Sequence, residues 1–319
     1  MGIFKFIVRR VLFGLLTMLV VATVVFVLSQ LLRDPAKAIL GKDGTGPQLL
    51  AKRKELNLDR SKAAQYTSWL GNLVFHQKAP PSFTNGLGMM EFLKDRMKNS
   101  LFLMFACSVI SIPFSIVIGA VAARRRDRAF DSATSGLNLF LAGTPEYVIG
   151  VALLFLLSTN LFHVFPGTVR IRPGQDPWVN PKALVLPVLT LVLAVVPYVS
   201  RTMRASTVEV LESDYVEMAR LKGLSERTVL WRHAMPNAIG PTLQVIAINV
   251  AYLVAGVITV EALFNFPGVG LAMRDAVQGH DAATAQFIAI FIAGIYVVVN
   301  LLADVGTILV TPRLRTTIS

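Results

Sequence analysis

Apolar residues fall along this chain in long blocks, not in strand-like alternation or short amphipathic stripes. The first uncharged block covers residues 11–32. At about 1.5 Å per residue it is long enough to cross a hydrocarbon core of about 30 Å. Further blocks cover residues 99–123, 133–165, 181–203, 238–263 and 283–310, so the pattern predicts an all-α polytopic membrane protein with about six transmembrane helices. The third block is longer than one crossing needs and contains Pro145 followed by Glu146. Proline removes a backbone donor and crowds the preceding turn, so a kink or helix restart at Pro145 accounts for the excess. A cleavable leader would end its apolar stretch in small residues, which Ser29-Gln30-Leu31-Leu32 does not, so the first block reads as a retained helix.

Polar residues supply the orientation. Lys5, Arg9 and Arg10 precede the first block; Arg124, Arg125, Arg126 and Arg128 follow the second; Arg201 and Arg204 close the fourth; Arg313 and Arg315 follow the sixth. Short basic segments stay on the cytoplasmic side, which puts all these clusters, and both termini, there. Residues 33–98 are too polar for lipid and too long for a tight turn, and form an extracytoplasmic insert; their lysines do not oppose this, because the charge bias weakens in loops beyond about 60 residues. Within the insert, residues 59–74 predict an amphipathic helix whose stripe, Tyr66, Trp69, Leu70, Leu73 and Val74, reads first as packing on the insert's own small core, with a docking site as the second reading. The chain thus divides into residues 1–32, the insert 33–98, and a five-helix part 99–319 containing a cytoplasmic loop, 205–237.

Composition narrows the function. With 54% hydrophobic residues, 16% charged and a mean hydropathy of +0.60, this is not an ordinary soluble domain. The net charge of +12 comes from basic residues beside apolar blocks, and no basic, aromatic-laced domain suggests nucleic acid as a partner. The single cysteine, Cys107, lies in an apolar run, and His76, His163, His233 and His280 are scattered, so neither a disulfide framework nor a metal or nucleophile set is readable. The phosphate cradle GxxxxGK(S/T) is missing from the sequence. If such a membrane protein moves a solute uphill, its free energy comes from another subunit or from a coupled ion, and no catalytic residue is assigned here.

The most informative polar stretch is residues 213–236, a charged island between two blocks. Asp214 can cap a helix with Glu217 in its first turn, Gly223 can end it in a left-handed conformation, and Ser225 can cap a second short helix running to Pro236. By spacing, Tyr215, Met218, Ala219 and Lys222 share one face, with Glu217 and Arg220 elsewhere. These residues resemble the EAA motif of ABC importer permeases: Glu217-Met218-Ala219, then Gly223, then His233-Ala234-Met235-Pro236, with Met218, His233 and Met235 departing from it. Residues 214–238, and the phrase from Glu261 to Gly270, are closer still to permease subunits of dipeptide and oligopeptide importers. After the first block that family has a LLPGDPA-like phrase, shortened here to Leu31-Leu32-Arg33-Asp34-Pro35-Ala36.

The resemblance implies a type I ABC importer permease fold in a bacterial inner membrane, surrounded by lipid. It implies that the loop docks on an ATPase subunit, with Asp214, Tyr215, Glu217, Met218, Ala219, Arg220, Lys222, Gly223 and Pro236 as coupling residues. It also implies a second homologous permease, two ATPase subunits that bind ATP and magnesium, and an extracytoplasmic binding protein. This chain, itself without a cofactor, would enclose half of a pathway for short peptides. Nickel importers have related permeases, which makes nickel the alternative cargo; a secondary carrier would leave the loop without a use. Four polar residues sit within predicted spans. Glu146 reads first as a cap of the restarted helix, and Asn249, Asn300 and Asp304 as interhelical hydrogen bonders, with a place on the pathway as the second reading for each.

Overall fold

The computed structural model describes residues 3–30, 36, 40, 45–55, 58–72, 89–159, 162–172, 174–279 and 281–310. The expectations for Leu31 to Pro35, Leu73, Val74, His76, His280, Arg313 and Arg315 lie outside these residues. Helix α1 (Ile3–Ser29) is followed by α2 (Gly46–Glu55), α3 (Lys62–Gly71) and the long α4 (Met89–Arg124). Next come α5 (Ala129–Ala142) and α6 (Glu146–Leu154), the latter prolonged by a π-helical turn, Phe155–Thr159. Helix α7 (Pro181–Leu211) leads through α8 (Asp214–Leu221) to α9 (Glu226–Thr228), which continues through the π-helical Val229–Ala234 into α10 (Met235–Phe264). Helices α11 (Val269–Gln278) and α12 (Ala282–Val310) complete the chain's described part.

Five helical runs are long and apolar enough to cross a membrane, and α5 with α6, bent by 104°, makes a sixth. The break predicted at Pro145 is therefore a restart: Pro145 caps α6 through its carbonyl, which accepts from the amides of Val148 and Ile149 at 2.9 and 3.2 Å. Helix α4 starts at Met89, well before the predicted residue 99, because Leu93 is fully buried against Val269, Ala272 and Ile288 while Lys94, Asp95 and Lys98 point outward. A block count misses such a start, since the turn is only one-sidedly apolar.

Helix α7 is the centre of the bundle. Of its most apolar stretch 72% is buried, against 17% for α1 and 11% for α12, so α7 is enclosed by protein and the other two lie at the periphery. Leu186, Leu191 and Val199 of α7 pack with Leu103 and Cys107 of α4 and with Leu253, Val257, Val260 and Phe264 of α10, while Met203 packs with Ala120 of α4 and with Met235 and Ala238 of α10. The approach of α4 to α7 depends on Gly119, whose missing Cβ would meet the Ser200 carbonyl oxygen and the Met203 side chain. The outward face of α4, with Leu101, Phe105, Val109 and Phe114 exposed, is wholly apolar in its large residues and suits lipid contact.

The amphipathic stripe of α3 corrects the expectation. Tyr66 and Trp69 do not build a core within the insert; they pack on Phe26 of α1, with ring centroids 5.2 and 5.4 Å away. The Tyr66 hydroxyl lies 2.7 Å from that of Thr23, and Lys62 donates to Gln30 at 2.5 Å. A ten-residue helix has too little apolar surface to bury against itself, and α1 offers a ready-made apolar wall.

Candidate coupling loop and membrane-depth polar residues

The loop at the basic end is built by a helix stop of defined geometry. Gly223 adopts φ +77°, its amide donates to the Arg220 carbonyl at 2.8 Å, and the Leu224 amide donates to the Ala219 carbonyl at 3.4 Å. These are the two bonds of a Schellman ending, which needs a left-handed residue at the glycine position. The other helix start differs from the expectation: Ser213, not Asp214, occupies the cap position, and Asp214 and Glu217 lie in the first turn, where a negative charge opposes the helix dipole favourably. Even so the Ser213 hydroxyl donates back to the Val210 carbonyl at 2.5 Å instead of capping forward. Ser225 does cap α9, accepting from the Thr228 amide at 3.3 Å.

Packing sorts the loop's side chains into those that hold it and those left free. Val216 and Ala219 are buried against Val229, which removes Ala219 from the presented face where spacing alone had put it. Arg220 is likewise inward in role: it donates to Glu226 at 3.0 Å and to the Leu211 carbonyl at 3.2 Å, tying α8 to both flanking helices. Tyr215, Met218, Leu221 and Leu224 are exposed, Leu221 to 76%. Asp214, Glu217 and Lys222 surround them, exposed, with no side-chain partner among the described residues. Pro236 lies exposed in the first turn of α10. An apolar ridge rimmed by charges, on a short helix pinned at both ends, is a contact surface by composition and rigidity.

Beneath the loop, α5 and α7 share a bidentate ion pair that the sequence reading missed. Arg204 donates to both carboxylate oxygens of Asp131 at 2.5 and 2.6 Å, and Asp131 also accepts from the Asp127 amide at 3.0 Å. Asn138 donates to Ser200 at 3.0 Å one layer deeper, and Arg126 pairs with Glu212 at the rim. Arg204 had been taken only as an orientation marker; the partner carboxylate, far away in sequence, carries no local signal.

At the opposite end Glu261 is fully buried. One of its oxygens accepts from the Ser100 hydroxyl at 2.5 Å and the other from the Gly270 amide at 2.6 Å, while Ser100 itself accepts from the Val269 amide at 2.9 Å. Asn99 donates to the Pro267 carbonyl at 2.8 Å, closing the turn between α10 and α11. The left-handed residue of that turn is Asn265, at φ 53°. Gly268 and Gly270 are needed for space: a Cβ at the first would run into the Glu261 carboxylate, and at the second into the Ile258 backbone.

The membrane-depth candidates separate. Asn249 and Asn300 donate to the carbonyls of Val245 and Tyr296, each at 2.8 Å within its own helix, and neither bonds to another helix among the described residues. The four-residue spacing lets an asparagine satisfy itself locally. Asp304 does cross helices, accepting from Arg10 of α1 at 2.9 Å. Glu146 stands in the first turn of α6 without a side-chain cap bond, half-buried, and has no ion-pair partner among the described residues.

The helical bundle, its broken third span and its charged loop define an integral membrane component of a transport system, and sequence comparison agrees. Residues 115–316 match the family described as binding-protein-dependent transport system inner membrane component, and residues 3–85 match the N-terminal membrane component of the same systems. The chain belongs to this family and has its type I importer permease fold. It is 32% identical, over 99% of its own length and 100% of the relative's, to a Sinorhizobium fredii protein named "Probable peptide ABC transporter permease protein y4tP". It is also 29% identical, over 97% of its length and 93% of the relative's, to the nickel import system permease protein NikB of Staphylococcus aureus.

Proposed function

We propose that this chain is the permease subunit of an ATP-driven importer of short peptides, contributing half of the translocation pathway. The observation that carries the coupling part is the pinned α8, whose free face of Tyr215, Met218, Leu221 and Leu224 is rimmed by Glu217 and Lys222. The basic end is cytoplasmic, both termini lie there, and residues 33–98 face outward. Two ATPase subunits, which bind ATP and magnesium, close and push α8 and its counterpart on a second permease. The bundle then alternates the side to which it opens, and an extracytoplasmic binding protein selects the cargo. This chain supplies no nucleotide site of its own. Peptide is favoured over nickel as cargo by the name of the 32% identical relative and by the membrane-depth polar groups, of which only Asn300 and Asp304 share a helix and which belong to no metal-ligand cluster among the described residues.

The test is ATP-dependent uptake by the complete reconstituted complex. Glu217→Arg reverses an exposed charge whose contribution to folding is the modest helix-dipole interaction, so it is expected to change stability by about 1 kcal/mol, to leave the protein in the membrane and to abolish peptide uptake. Normal uptake at equal protein level would remove α8 from the coupling path. Accumulation of nickel with no peptide-stimulated ATP hydrolysis would replace the cargo.

A further inference from the structure

Helix α5 is fastened to α7 along its whole length. Arg204 and Asp131 make the bidentate pair, Asn138 donates to the Ser200 hydroxyl at 3.0 Å, and the Tyr198 hydroxyl donates to the carbonyl of Ala142, the last residue of α5, at 3.3 Å. Positions 131, 138 and 142 share one helical face, and their partners run 204, 200, 198, as two antiparallel helices require. The same body reaches the loop. Arg220 of α8 donates to the Leu211 carbonyl at the end of α7, and Arg126, in the turn before α5, pairs with Glu212. At Gly119, α4 also lies directly on Ser200 and Met203, with no room for a Cβ.

These ties stop at a level where three elements are weakened. Ala142 is followed by Gly143 and Thr144 and then by Pro145, where α6 departs at 104°. Next to Tyr198 stands Pro197, the second interior proline of α7, which has no amide to donate to the Leu193 carbonyl. In α4 the interior proline is Pro113, on the side of Gly119 away from the basic end. Pro113 lies about 9 Å along its helix from Gly119, and Pro197 about 5 Å from Ser200, so the two prolines have closely similar depth. Pro187 and Pro241 lie elsewhere, in the second turns of α7 and α10. Beyond this level α6 is seated by apolar packing, with Gly150 against Leu263 and Thr190, and the far end has its own lock in the bonds among Glu261, Ser100 and Val269.

We propose, on the importer reading above, that α5, α8 and the basic-end halves of α4 (residues 114–124) and α7 (residues 198–211) move as one body in the transport cycle, tilting on a hinge at Pro113, Pro145 and Pro197. Asp131 and Arg204 are its positioning residues. A push on α8 moves the pathway only if the elements between them do not yield. A bidentate charged pair fixes the register of two helices, whereas apolar packing permits small sliding. Proline supplies the complementary property, because a helix without one of its backbone bonds bends at lower cost. Hydrogen bonds gathered on one side of a layer of prolines thus separate a stiff lever from its pivot.

The experiment uses the whole complex in proteoliposomes with loaded binding protein, and follows both uptake of labelled trialanine and ATP hydrolysis. Asn138→Cys and Ser200→Cys are combined with Cys107→Ala, and one preparation is assayed before and after the two thiols are joined by oxidation. Uptake is expected to be unchanged by the bridge, because the joined helices do not part in the cycle. Uptake lost on oxidation and restored by reductant would overturn the single body. Asp131→Asn is expected to lower uptake about tenfold while ATP hydrolysis stimulated by loaded binding protein persists, so that more ATP is hydrolysed per peptide. Unchanged uptake, or equal falls in uptake and hydrolysis, would deny the pair its positioning role. Pro197→Ala, which can restore the bond to Leu193, should slow uptake at an unchanged half-saturating concentration of binding protein, and normal uptake would overturn the hinge. A wild-type complex that neither imports trialanine nor hydrolyses ATP in response to loaded binding protein would instead sink the importer reading.

Discussion

The two glycine-marked turns at opposite ends of α10 solve different problems. At Gly223 the backbone is left-handed and a Cβ would meet nothing within 4 Å, so the residue is chosen for conformation and the surroundings are open. At Gly268 and Gly270 the backbone is not left-handed, and a Cβ would collide with Glu261 and with the Ile258 backbone, so the residues are chosen for space. The first turn leaves an apolar ridge free to be touched. The second satisfies its own buried polar groups and offers nothing to a partner. On the function proposed above the two are complementary: one end locks helices together through hydrogen bonds, and the other would transmit a push through a short helix.

The largest effect should come from breaking the closed turn. Glu261→Leu leaves the Gly270 and Leu271 amides without their acceptor, at a cost of about 2–6 kcal/mol for the two groups, while the Ser100 hydroxyl keeps the Arg96 carbonyl at 3.1 Å. Thermal unfolding of the detergent-purified chain should show a clear drop in melting temperature; an unchanged one would mean that the carboxylate network does not hold the turn. The open turn should respond more mildly in stability and more sharply in function. Gly223→Val forces a β-branched residue into left-handed backbone, a strain of about 1–3 kcal/mol, so the protein should still accumulate while uptake is lost. Gly223→Asn should restore uptake in large part, because asparagine tolerates that conformation, whereas Gly270→Asn should fail to accumulate. If the two asparagine variants behave alike, the distinction between conformation and space is wrong. The smallest perturbation sharpens the same contrast by side of the membrane. The native thiol, Cys107, is buried, so Ser68→Cys on the exposed face of α3 should react with an impermeant thiol reagent from outside, and Arg126→Cys should not. Reversed labelling would put the open turn on the wrong side for ATP.

Much of the bundle was legible because a hydrocarbon environment writes itself into composition: blocks of about twenty apolar residues, basic residues at their ends, and a proline where the third block was too long. The coupling loop was legible for a local reason, since Gly223 and Ser225 act on backbone groups within five residues of themselves. Asn249 and Asn300 were less legible because an asparagine's partner, four residues back in its own helix or across the bundle, leaves the same trace in sequence.

What the sequence by itself determined, then, was the number of spans, the place of the break at Pro145 and the left-handed stop at Gly223, all governed by interactions short in sequence. Only the tertiary structure decided that Ala219 and Arg220 hold the loop instead of presenting it, and that α3 lies on α1. It alone joined Asp131 to Arg204 and Glu261 to Ser100. Each of these depends on which faces of distant helices meet, and that is settled by packing around α7, where apolar side chains of many sequences would fit equally well by pattern and only one arrangement satisfies volume and hydrogen bonds together.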